Sequence, residues 1–108
     1  MKPNHFQILL AIADRPMHGT AIMEEVLVRT DGQVKLWPGT LYGSLRDLEE
    51  QGWLRETDPP PNAPTEGGKR RFHEITEKGK AELAHEVRRL ASFVRAARAK
   101  RVITEGTA

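Results

Sequence analysis

The residues best suited to chemistry sit just after Pro38. If that segment is helical, Gly39, Thr40, Gly43, Arg46, Asp47 and Glu50 share one stripe, with Ser44 at its margin, opposite Leu41, Leu45 and Leu48. A glycine in a first helical turn lets the backbone approach a phosphate closely, and the free amides and dipole there favour an anion. Thr40 and Ser44 can donate to phosphate oxygens or base edges, and Arg46 can reach a guanine or a phosphate. The other reading is that Pro38-Gly39-Thr40 merely shapes and caps a helix. Asp47 and Glu50 oppose phosphate, which confines contact to the first two turns. Tyr42 falls about 100° from the leucine stripe, so its ring either packs at the core edge or offers its hydroxyl to a nucleic-acid backbone. Lys69, Arg70 and Arg71 form a basic cluster beside Gly67 and Gly68. They suit a phosphate or minor-groove contact, or else a solvated strand end. Lys35, just before the helix, is a candidate of the same kind.

Other chemistries find little support. With no cysteine there is no disulfide, thiol nucleophile or thiolate metal site. His5, His18, His73 and His85 lack metal-ligand spacing, no carboxylate constellation suggests catalysis, and no phosphate-binding glycine motif occurs, so neither metal, cofactor nor enzymatic activity is expected. No apolar run reaches the roughly 18 residues of a membrane span, and the N-terminus lacks a signal-peptide layout, which implies a cytoplasmic protein. The net charge of +2 hides an uneven distribution. Residues 1–34 and 35–76 each sum to −1, whereas Arg88 to Arg101 holds six basic residues and no acidic one. Such a run is either a pull toward an acidic partner or a solvated helix face.

At 108 residues the chain is expected to fold as one unit and to need a partner surface. Phe6, Leu9, Leu10 and Ala13 give a first helix, with Ile8 and Ile12 on a second side available to another subunit. Asp14-Arg15-Pro16 stops it. Thr20 is expected to cap a second helix with Ile22, Met23, Val26 and Leu27 inside, and Asp31-Gly32 ends it. Gln33 to Leu36 reads as a brief strand. A third helix runs from Pro38 to a stop at Gly52. Trp53 to Asp58 and Lys69 to Ile75 read as two antiparallel strands around a loop that holds four of the seven prolines. Thr76 caps a final helix in which Leu83, Val87, Leu90, Val94 and Ala97 repeat at 4, 3, 4, 3, the spacing of a coiled-coil seam. The order predicts a mainly α fold with a small β-hairpin: a winged helix-turn-helix over residues 1–76 and a C-terminal dimerisation helix and tail over 77–108.

Four segments in order, Met17-His18-Gly19-Thr20-Ala21-Ile22, Pro38-Gly39-Thr40-Leu41-Tyr42, Leu48-Glu49-Glu50-Gln51-Gly52-Trp53-Leu54 and Arg70-Arg71-Phe72-His73-Glu74-Ile75-Thr76-Glu77-Lys78-Gly79, resemble the PadR family of bacterial transcriptional regulators. The resemblance implies a homodimeric winged-helix protein that binds double-stranded DNA, usually as a repressor, of the branch with a single short C-terminal helix; a dimer that sets helix 3 of each copy in successive major grooves would read a pseudo-palindromic operator. The resemblance also permits Trp37, Trp53 and Phe93 to line a cavity in a dimer for a planar small-molecule effector; core or interface packing is the other reading of each. Three positions depart from the family pattern. Thr20 and His73 stand where aromatics are common, and Trp37 where a smaller residue often precedes Pro-Gly-Thr. A protein-interaction module built on the same fold is the competing function, and the Gly39-Thr40 surface with the Arg70-Arg71 wing argues for DNA.

Overall fold

The computed structural model describes residues 1–62 and 71–104. In chain order it holds α1 (Pro3–Ala11), β1 (Met17–His18), α2 (Gly19–Arg29), α3 (Pro38–Glu50), β2 (Leu54–Thr57), β3 (Phe72–Ile75) and α4 (Glu77–Ala99). Proline occupies the first turn of both α1 and α3, where its missing N–H leaves no bond unmade. The cap of α2 differs from expectation. His18, not Thr20, precedes the helix, and its Nδ1 accepts from the Ala21 N–H at 3.3 Å. At the far end of α3, Gly52 adopts φ 77°, and the Gly52 and Trp53 amides donate back to the carbonyls of Glu49 and Leu48.

The strands form one antiparallel sheet in the order β1-β3-β2, with Met17 and Glu56 both opposite His73, and Leu54 opposite Ile75. The brief strand expected at Gln33 to Leu36 is absent. There Leu36 is buried while Lys35 and Trp37 point outward, an alternation that anchors the loop to the core without any partner strand. The third strand is instead Met17–His18, two residues recruited by β3.

Leucine, isoleucine and valine side chains from every helix close the core, among them Ile8, Leu9, Ile22, Val26, Leu41, Leu45, Leu48, Leu54 and Leu83. Helix α1 packs against α2, α3 and α4, which explains why it is apolar on more than one side. Ile8 and Ile12, expected to face a second subunit, are consequently fully buried within this chain and have no area left for a partner. Leu83 is likewise taken into this core. Beyond Glu86 no residue of α4 is buried, so the remainder of the helix stands off the body. Helices α2 and α3 with the β2–β3 hairpin make a winged helix-turn-helix.

Candidate nucleic-acid interface

The packing of α3 through Leu41, Leu45 and Leu48 turns Gly39, Thr40 and Arg46 to solvent. A Cβ at Gly39 or at Gly43 would meet no atom of this chain within 4 Å, and neither residue needs a positive φ. Helical glycine is intrinsically unfavourable relative to alanine, and nothing among the described residues calls for either one. The surface they leave is flat backbone. Arg46 has no hydrogen-bond or ion-pair partner among the described residues, so its guanidinium is available to an external acceptor.

Ser44 is the exception on this helix. At 9% exposure it is buried beneath the start of α1, beside Lys2, Pro3, Asn4, His5 and Asp47, and it cannot reach a ligand on the outer face. Tyr42 is exposed, yet its ring runs along the start of α2: a Cβ at Gly19 would lie 3.1 Å from its hydroxyl. Lys35 holds its ammonium 4.4 Å above the ring of Trp37, immediately before α3. On the wing, Arg71 is exposed and pairs with Glu56 at 3.2 Å. Lys69 and Arg70 lie outside the described residues.

Between α3, the start of α2 and the sheet lies a cleft of about 590 Å³, lined by Thr20, Tyr42, Arg46, Glu49, Glu56, Arg71 and His73 among others. Cross-strand pairing places Glu56 and His73 on one face of the sheet, and two-residue alternation adds Arg71. The structure thus joins Tyr42, Arg46 and Arg71, which sequence reading nominated, to Thr20, Glu56 and His73, which it did not. The missing signal was long-range: only strand pairing brings position 73 opposite positions 17 and 56.

His73 is 5% exposed, and its Nδ1 has no hydrogen-bond partner among the described residues. Burial pushes its pKa below the usual 6.5, against the pull of Glu56 and Glu49 and with a smaller contribution from Arg71. The folded state therefore binds fewer protons at this site than the unfolded chain. Stability should fall as pH drops through 6.5 toward the lowered value, and the loss should stop below it. His5, lowered by its own burial and by Lys2, adds to the same slope. His73→Phe removes a buried polar group, and urea denaturation should show it more stable than the wild type at pH 7.5 by about 1 kcal/mol. The gap should widen at pH 5.5; a constant gap would show that the imidazole does not titrate between the states.

Trp37, Trp53 and Phe93 meet different neighbours. Trp37 lies under Lys35, Trp53 packs on the core, and Phe93 sits beneath Arg89. Neither the α3–wing cleft nor the one at the start of α1 is lined by any of them. Among the described residues no group of histidines and carboxylates could hold a metal, and no helix is long and apolar enough to cross a membrane.

Several solved structures share the fold. A transcriptional regulator from Clostridium thermocellum is 18% identical over 85% of this chain and 86% of that one, with a TM-score of 0.70. A PadR family transcription regulator from hypervirulent Clostridium difficile is 19% identical over 92% and 97%, at 0.69. A PadR-like transcriptional regulator from Bacillus cereus is 20% identical over 94% and 93%, also at 0.69. No curated protein matches the chain in sequence. The transcriptional regulator PadR-like family, by contrast, matches residues 8–85, more than half of the length. With its winged helix-turn-helix and solvent-facing third helix, the chain belongs to the PadR-like family, whose members are DNA-binding transcriptional regulators rather than enzymes.

Proposed function

We propose that the protein is a dimeric repressor acting in the cytoplasm, with α3 of each copy set in successive major grooves of a pseudo-palindromic duplex and the wing on phosphate or in the minor groove. The observation that carries this reading is the outer face of α3, where two glycines without internal cause adjoin Thr40 and Arg46, which is unpaired among the described residues. Arg71, with Lys69 and Arg70, supplies the wing contact, and the exposed Tyr42 stands between α3 and the start of α2. Mobility shifts with the DNA upstream of the protein's own gene test it. A discrete, competitor-resistant complex is expected, and no shift even at low salt would overturn the reading.

Dimerisation is assigned to the part of α4 that stands off the body. Val87, Leu90 and Val94 are 43%, 37% and 40% exposed, share one stripe and adjoin the exposed Phe93; the half-buried Ala97 continues the line. Leu90→Glu should leave the circular dichroism spectrum unchanged because the side chain is not part of the core. Light scattering should then give half the wild-type mass. A wild type already monomeric at micromolar concentration would refute the assignment.

A further inference from the structure

We propose that Trp37 and Lys35 form a single phosphate-binding unit flanking α3, in which the indole positions the ammonium and rests against the sugar–phosphate backbone of bound DNA. The inference rests on the DNA-binding reading above and adds a contact outside the recognition helix.

Trp37 is 61% exposed although it is among the largest apolar side chains in the protein. Its place is unusual in a second respect. It occupies the N-cap position of α3, yet its side chain makes no capping hydrogen bond, so the helix start gains nothing from a tryptophan there. Leu36, 4% exposed, pins the loop to the core, and the alternation on either side throws Lys35 and Trp37 to the same solvent-facing side. The result is the 4.4 Å stacking of ammonium on ring, with no carboxylate paired to Lys35 among the described residues.

Two features name the occupant. The unit is continuous with Pro38, Gly39 and Thr40, all exposed, so a duplex lying on the outer face of α3 passes directly over it. Its charge is positive and uncompensated. A lysine on a flexible stem contacts phosphate as a mobile point charge, whereas one held over an aromatic face presents its ammonium at a fixed place. The indole edge then offers apolar surface to deoxyribose, which no base sequence restricts.

The test is the salt dependence of binding, followed by fluorescence anisotropy between about 50 and 200 mM KCl on the upstream duplex and on an unrelated one. Lys35→Ala should reduce the slope of log K against log salt by about 1 for each copy bound. Trp37→Ala, with lysine intact, should give a comparable loss on both duplexes, the double variant should lose no more than either single one, and Trp37→Phe should keep most of the slope. An unchanged slope in Trp37→Ala, or losses that add in the double variant, would overturn the unit while leaving the DNA-binding reading intact. Trp37→Ala that melts lower but binds with the wild-type slope would likewise reduce the residue to a structural part. Absence of any binding by the wild type would sink both readings at once.

Discussion

Gly79→Ala is expected to lower the melting temperature by about 12 °C or more. Gly79 lies in the first turn of α4, and its amide donates to the Thr76 hydroxyl at 3.0 Å. A Cβ there would collide with the Trp53 carbonyl oxygen and come within 2.9 Å of Ile75 Cγ1. Both obstacles belong to packed structure, the carbonyl to backbone that cannot rotate aside. Overpacking of this kind costs about 3 kcal/mol, and each kcal/mol shifts the midpoint of a domain this size by about 4 °C or more. The same methyl would normally stabilise a helix. Thermal denaturation of the two proteins decides between these signs, and an unaltered midpoint would mean that α4 does not approach Trp53 this closely.

Gly43→Ala should move stability and binding in opposite directions. With open space around the site, alanine gains helix propensity of about 1 kcal/mol and raises the urea midpoint. DNA affinity should nevertheless fall about ten-fold, because a methyl would separate the helix backbone from a closely apposed duplex and disturb at least one contact. Gly39→Ala should weaken binding similarly with a smaller gain in stability, since it lies in the first turn. A Gly43→Ala protein that is both more stable and equally tight on DNA would show that this face of α3 is not where the duplex lies. Together the two substitutions separate a glycine demanded by internal packing from one that only an outside molecule explains.

The boundaries of α3 are legible because local chemistry sets them: Pro38 starts the helix and Gly52 stops it in a left-handed conformation. What escaped local reading depends on distant chain. Met17–His18 is too short for any periodicity and becomes a strand only through Phe72 and His73. Val34 to Leu36 alternates like a strand, yet with no neighbour to pair it remains an anchored loop. Ser44 lies at the edge of the helical wheel, and whether it is wet or dry is decided by the start of α1 folding over it. The heptad spacing from Leu83 to Ala97 is real, but spacing cannot say whose side chains fill the seam. In the structure Leu83 is consumed by the core of its own chain and only later members stay exposed. Ile8 and Ile12 illustrate the same ambiguity, since a helix with three internal neighbours looks in sequence like one awaiting a partner.

The junction at Thr76 has a mechanical meaning. Its hydroxyl donates to the Gly52 carbonyl at 2.6 Å, its amide donates to the Trp53 carbonyl at 3.1 Å, and the same hydroxyl receives the Gly79 amide. The residues just past the C-terminus of α3 are thereby tied to the N-cap of α4, so the two helices, blade and handle, meet at a hydrogen-bonded joint. From Val87 to Ala99 the handle is about 20 Å long at 1.5 Å per residue. In the paired arrangement proposed above, a residue added to α4 between Glu86 and Val87 would turn the gripping stripe by about 100° relative to the body, and with it the relative setting of the two reading helices. The separation and phase of the two half-sites would then be written in the length of α4, where no base is touched.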